Sequence, residues 1–246
     1  MILDPAVCSV ERRLMRNDRF AFSCHRELAC FNRCCRNKDL LLTPYDVLRF
    51  RNSLGLGSDA FIDRYTLYRL DPVSGFPVLT LRLDEGSERR CPFVAPEGCR
   101  VYEDRPMACR LFPLGRASAQ DAQGARKDEF FFKLDAPGCL GVQEEKVWTV
   151  QEWMEAQGLA RHLEMSERML ALLFHPARDR SKPLDDSQVR QLIVACYNLD
   201  VFRDFVLGSR FLDSLRLDGM TRSRIETDDL ELLKLGFVYL QETLFR

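Results

Sequence analysis

Histidine is scarce in this chain of 246 residues, with only His25, His162 and His175 present. A metal site built mainly of imidazole is thereby excluded. Apolar runs are short as well: Leu40 to Leu42 and Met169 to Phe174 fall far below the ~20 residues that a membrane-spanning helix needs. Net charge is nearly absent, with 36 Lys and Arg against 37 Asp and Glu for a formal balance of −1. The chain therefore lacks the basic footprint of a nucleic-acid binder, and nucleic acid is not an expected partner. The amino-terminal stretch carries Asp4, Glu11 and several arginines where a secretory signal would need an uninterrupted apolar segment, so a cytoplasmic location is expected. No Cys-x-x-Cys pair, Gly-rich phosphate loop or Ser-His-Asp order is present.

What the chain does have is ten cysteines. A chain of this length can bury a core without disulfide staples, and a reducing compartment turns thiol clusters into metal-ligand or redox candidates. Cys24, Cys30, Cys34 and Cys35 form one cluster, spaced Cys-x5-Cys-x3-Cys-Cys. Cys91, Cys99 and Cys109 form a second, spaced Cys-x7-Cys-x9-Cys, and Cys139 stands at the end of the same half. Eight thiols in two groups suit two four-ligand sites or one polynuclear centre. Adjacent Cys34 and Cys35 sharpen this, because neighbouring side chains diverge in any regular backbone. The pair serves two metals more easily than one small tetrahedral ion. Long, irregular spacings drawn from distant loops favour an iron–sulfur cluster, with zinc as the alternative. Cys196, on an apolar helix face, reads as a small buried hydrophobe, and Cys8 the same. His25 has the options of extra ligand, hydrogen-bond donor to a thiolate, or plain exposure.

A thiolate centre keeps net negative charge that must be compensated. Arg105 and Arg110 straddle Cys109 and are the expected cationic, cofactor-binding neighbours. Pro106 fits the first turn of a short helix carrying Cys109.

The expected fold class is α+β and mostly helical. Residues 1–142 read as a loop-rich cysteine-cluster domain with a small sheet, and 143–246 as a helical domain or extension. Thr43 and Asp46 form a capping box for a helix ended by Gly55, and Ser58 is the expected cap of a second short helix to Tyr65. The pair could be a helix-turn-helix, but no basic recognition face accompanies it, so a helical hairpin on the core is expected. Phe76 to Leu83 and Glu129 to Leu134 alternate as strands. Thr149 and Glu152 make another capping box, Gly158 interrupts, and a longer run reaches Phe174 before Pro176. Ser187 starts a helix through Cys196 toward Phe205, and Thr227 opens the last helix toward Phe245.

CHRELACFNRCCRN, followed by CPFVAPEGCRVYEDRPMACRLFPL, resembles the YkgJ-type cysteine-cluster family of zinc- or iron-chelating domains. Tyr102, Arg105-Pro106, Cys109-Arg110 and Pro113 carry the more specific part of the likeness. It covers roughly residues 22 to 142 and implies metal chelation by the clustered thiols. The motif is also similar to that of the flagellin lysine N-methylase branch, which implies an iron–sulfur cluster and methyl transfer. Here the gaps around Cys30 are longer than in the usual Cys-x2-Cys-x2-Cys-Cys pattern. Two functions thus stand side by side: an iron–sulfur protein with redox or methyl-transfer activity, and a zinc-stabilised interaction module without catalysis. The partner is a protein or a small molecule.

Overall fold

The structure is a computed structural model and describes residues 12–71, 74–86, 88–120, 126–179, 182–214 and 219–245. Asp4, Cys8 and Glu11 lie outside the described residues. In chain order, β1 (Arg19–Ala21) leads into the first cysteine loop, which ends in a 3-10 turn at Arg33–Cys35. Next come β2 (Leu41–Leu42), α1 (Pro44–Leu54), α2 (Ser58–Tyr65), β3 (Thr66–Leu70) and β4 (Pro77–Leu81). The second cysteine region holds β5 (Val94–Ala95), β6 (Gly98–Cys99) and α3 (Met107–Leu111), followed by β7 (Leu114–Gln120), β8 (Arg126–Lys133) and β9 (Val147–Thr149). The remainder is helical: α4 (Val150–Ala156), α5 (Ala160–Leu173), α6 (Asp186–Cys196), α7 (Leu199–Gly208), α8 (Phe211–Ser214), α9 (Gly219–Thr227) and α10 (Asp229–Leu244). The chain is α+β and mostly helical, and among its described helices none is long and apolar enough to cross a membrane.

Local capping fixes several of these ends. Thr43 Oγ1 accepts from the Asp46 N–H at 3.1 Å while Asp46 Oδ2 accepts from the Thr43 N–H at 2.9 Å, and Gly55 closes α1 in the left-handed region at φ 63. Thr149 and Glu152 do the same for α4. Other ends differ from expectation. Ser58 is the first helical residue of α2 rather than its cap, because its N–H is taken by Asp200 Oδ2 at 2.7 Å. Asp185, not Ser187, caps α6 and forms a capping box with Gln188. The expected continuous helix to Phe205 breaks at Tyr197, where Asn198 caps a new helix. Thr227 ends α9 instead of opening α10; Asp228, whose carboxylate reaches two backbone N–H groups, is the cap. Pro106 caps α3 from outside rather than sitting in its first turn.

The chain divides into two compact units, one from the described residues of Met1–Leu41 and Leu81–Leu163, the other from those of Leu42–Thr80 and Glu164–Arg246. In the first, β7 and β8 form an antiparallel hairpin, and β1 pairs with β9 through Phe20 opposite Trp148. Phe20, Phe22, Leu111, Leu114, Phe131, Val150, Trp153 and Met154 form its core. The Trp153 indole stands edge-on to Phe20 and Phe22 and donates to Leu111 O at 3.1 Å, so its polar edge is satisfied where it is buried. Across the hairpin, Glu129 accepts from Arg116 and Arg16, both at 2.7 Å. Burial alone would push the Glu129 carboxyl up, but the two guanidiniums outweigh it and hold the group below its ordinary range.

In the second unit, β4 lies between β2 and β3, and the α1–α2 hairpin packs its Phe50 and Phe61 rings 5.8 Å apart. Arg51 of α1 is buried and bonds Asp200 and Asp229 at 2.8 and 2.5 Å, so this helix pair places a cation inward. Helix α10 meets α6 so closely that a Cβ on Gly236 would stand 2.2 Å from the Ala195 carbonyl oxygen.

Replacing Gly236 by alanine forces backbone apart and is expected to cost about 1–3 kcal/mol, seen as a lower urea midpoint at unchanged slope. Glu129→Gln leaves two arginines without their carboxylate and should cost about 2–4 kcal/mol at pH 7. Because the folded Glu129 pKa is depressed, that stabilisation is complete above the ordinary glutamate value and disappears as pH falls through the folded one. Urea titrations of both proteins at falling pH should therefore converge; a constant gap would contradict the ion-pair account.

Candidate metal centre

Four stretches of the first unit carry the eight clustered thiols. The first, after β1, is a succession of tight turns: Phe31 N–H to Leu28 O at 2.8 Å, Arg33 N–H to Cys30 O at 2.9 Å, and Cys35 N–H to Asn32 O at 3.1 Å. Asn32 sits in the left-handed region at φ 67, which asparagine tolerates better than most side chains. Its amide donates to Ala95 O at 2.9 Å, tying this loop to the β5–β6 hairpin that bears Cys99. Sequence reasoning passed over Asn32; the available signal was an Asn two residues ahead of a Cys-Cys pair, where a chain reversal needs an αL position.

The second stretch is joined to the first by backbone. Cys91 N–H donates to Cys35 O at 2.8 Å, Asn37 N–H to Arg89 O at 3.0 Å, and Arg36 bridges Arg90 between them. Cys35 and Cys91 are thus held side by side across 56 positions of sequence. The third stretch is α3, a short helix that presents Cys109 while its Leu111 enters the core. The fourth is the loop Pro137–Val142. Here Leu140 N–H donates to Cys30 Sγ at 3.2 Å, and Gly141 lies so close to the Ser23 carbonyl that a Cβ would stand 2.5 Å from its oxygen. Cys139 packs against the core on this loop.

The thiols sense one another electrostatically in two overlapping groups. Cys24 is influenced by Cys34, Cys30 and Cys139, and Cys139 by Cys30 and Cys34. Cys35 is influenced by Cys34, Cys109 and Cys91, and Cys91 by Cys99, which also feels Cys34. Cys34 and Cys35 stand where the two groups meet. Cys196 belongs to neither and is fully buried in the second unit, where desolvation raises its thiol pKa.

Burial pushes Cys24 and Cys91 up to about 11 and raises Cys99 and Cys139. Against burial work backbone N–H groups: those of Phe93 and Val94 toward Cys91, of Val101 toward Cys99, and of Gly141 and Val142 toward Cys139. Each is a ready donor to a thiolate. The hydrogen bond between the adjacent thiols raises Cys35 and draws Cys34 down to about 7, with Lys38 helping the latter. Cys24, Cys34 and Cys109 are exposed, so the cluster reaches the molecular surface.

The arginines divide their tasks. Arg105 lies over the Tyr102 ring at 3.8 Å, donates to Tyr102 O at 2.6 Å, and favours ionisation of Cys99. Arg110, 7% exposed, donates to the carbonyls of Arg105 at 2.9 Å, Gln157 at 2.7 Å and Glu103. Its guanidinium thereby locks the chain around α3 to the end of α4. His25 sits 3.4 Å from Glu144 by its Nε2 and is partly exposed.

Among the described residues no three His, Cys, Asp or Glu side chains stand in the arrangement of a closed metal site. The sulfurs are gathered into a neighbourhood and not drawn to a point. The donor chemistry nevertheless suits zinc or iron: soft sulfur ligands, backbone N–H groups aimed at them, and cations alongside.

Residues 23–139 match the CxxCxxCC family model, described as a "putative zinc- or iron-chelating domain". No curated protein and no solved structure matches the chain. Over residues 23–139, which hold the eight clustered cysteines, the chain is similar to that family of cysteine-cluster domains.

Proposed function

We propose that this protein holds iron–sulfur clusters through its clustered thiols, in two four-ligand sets: Cys24, Cys30, Cys34 and Cys139, and Cys35, Cys91, Cys99 and Cys109. The observation that carries the proposal is that eight thiols from four separate stretches are drawn into one neighbourhood, by Cys91 N–H on Cys35 O and Leu140 N–H on Cys30 Sγ, with the hydrogen-bonded Cys34–Cys35 pair among them. Eight sulfurs are more than one tetrahedral ion can take, and two four-ligand clusters would use them all. Arg105 supplies compensating positive charge near Cys99, and the N–H groups of residues 93, 94, 101, 140, 141 and 142 supply donors to sulfur. Arg110 acts on the centre by holding α3, and so Cys109, in place.

A cluster so held provides one-electron chemistry, and exposure of Cys24, Cys34 and Cys109 leaves a route for a partner or substrate. Redox exchange at this surface is the activity favoured here; methyl transfer rests on resemblance alone. A second reading has its own support in the β5–β6 turn, where Cys91 and Cys99 receive N–H groups two or three residues onward, as in zinc-binding loops. Zinc would then brace the loops without turnover.

Anaerobic purification followed by iron, zinc and acid-labile sulfide analysis separates the two. Iron with matching sulfide is expected in the native chain and in Cys196→Ala, and should fall by half or more in Cys91→Ser. A colourless protein with stoichiometric zinc and no sulfide overturns the iron–sulfur reading in favour of the second. In the metal-free chain, iodoacetamide should alkylate Cys34 along a titration centred at about 7, followed by peptide mass spectrometry. Cys35→Ala removes the donor that stabilises the Cys34 thiolate, so the midpoint should move upward.

A further inference from the structure

The sheet β2–β4–β3 ends on β3 (Thr66–Leu70), which has β4 on one side and, among the described residues, no strand on the other. Proteins blunt such an open edge with lysine, proline, a bulge or a very short strand. At the far edge β2 has only two residues, whereas β3 has five, TLYRL, with neither lysine nor proline. Its side chains are bare as well: Leu67, Tyr68 and Leu70 are 46%, 53% and 52% exposed. Two bonds show which way the backbone turns. Leu67 O accepts from Thr80 Oγ1 at 3.4 Å, and the Asp71 N–H donates to Phe76 O at 2.8 Å, so residues of odd number in this stretch direct their polar groups to β4. By the two-residue period of a strand, Tyr68 directs its N–H and C=O to the open edge.

We infer that β3 pairs antiparallel with β3 of a second copy of this chain, about a two-fold axis at Tyr68. The groups on this edge are backbone donors and acceptors, and an extended strand is what meets them. A second copy fits because the edge is its own complement. Two-fold antiparallel pairing sets one residue opposite itself. With the axis at Tyr68, the two copies of that residue exchange both N–H···O bonds. Leu70 then lies opposite the second copy's Thr66, and Arg69, the one charge of the strand, lies opposite Leu67. An axis one residue earlier would match Tyr68 with Thr66, whose N–H already donates to Ile62 O at the end of α2. An axis one residue later would set Arg69 against itself. Because β4 occupies the other side of each strand, the pairing closes at two copies. A five-residue strand covers less than the roughly 1,600 Å² of a standard interface, so the dimer forms reversibly as concentration rises.

The test is sedimentation velocity of the full chain at its metal content as purified. It is run anaerobically, because Cys24, Cys34 and Cys109 are exposed and would otherwise join chains through disulfides. Monomer should pass to dimer as the concentration rises from about 10 μM to about 1 mM. Over the same range, hydrogen exchange of the Tyr68 amide should slow about tenfold or more, while the Leu67 and Arg69 amides, directed to β4, keep their rates. Leu70→Lys places a guarding charge on the edge and Tyr68→Pro removes the N–H at the axis, so each should leave the chain monomeric throughout. Met220→Lys, at a residue of α9 that is 71% exposed, should dimerise like the native chain. If Tyr68→Pro fails to fold, Leu70→Lys and the exchange of the native Tyr68 amide decide the matter. A dimer that persists in Leu70→Lys, or that leaves the Tyr68 amide unprotected, overturns the inference. A chain that stays monomeric at every concentration also overturns it, and leaves the edge to a strand of another protein. None of these outcomes depends on which metal the thiols hold.

Discussion

The organisation of the first unit depends on sulfur being brought near sulfur, and backbone hydrogen bonds do the gathering. Cys91 N–H to Cys35 O and Leu140 N–H to Cys30 Sγ join segments 56 and 110 positions apart. Ionised together, the thiols would repel one another. Burial and mutual proximity answer this by raising Cys24, Cys91 and Cys99, so that these three remain protonated near neutrality, while Cys34 is drawn down by its bond from Cys35. A cation entering the cluster reverses the balance: it replaces protons, removes the repulsion and makes use of the N–H donors already aimed at the sulfurs. Metal affinity in such a site is necessarily linked to proton release.

That linkage bears on stability as well as chemistry. The elements around the thiols are minimal: two-residue strands at β5 and β6, a 3-10 turn at residues 33–35, and the five-residue α3. Strands and turns of this size are not stable by themselves. The core supports them through Leu111, Phe22 and the half-buried Cys139. Arg110 adds bonds to three carbonyls around α3. Metal–sulfur bonds would complete what these few contacts begin, and this is why the loops carry so little regular structure of their own.

Much of the fold was legible in the sequence where the determinant is local. The capping boxes at Thr43–Asp46 and Thr149–Glu152 need only residues three apart, and both form. Trp153 and Cys196 lie in the core, as their apolar settings imply. Errors came where two local signals compete. Asp185 and Ser187 can each cap α6, and Asp185 wins because Gln188 completes its box. Asp228 displaces Thr227 for a similar reason, reaching two N–H groups at once. The helical period runs without a break through Tyr197, so nothing in the apolar pattern marks the turn that Asn198 caps.

The grouping of the thiols was legible in part. Two sequence clusters suggested two four-ligand sites or one polynuclear centre. In three dimensions Cys35 lies beside Cys91, and the loop of Cys139 reaches Cys30 through the Leu140 N–H. Spacing cannot show these approaches, because the first is made by residues 35–37 pairing with 89–91 after Asn32 reverses the chain, and the second joins segments 110 positions apart. Adjacent side chains diverge in regular helix and strand, but in the 3-10 turn at Arg33–Cys35 the two thiols are close enough to hydrogen-bond. Between them they sense Cys24, Cys91, Cys99, Cys109 and Cys139, so the Cys-Cys pair stands at the middle of the gathered sulfur.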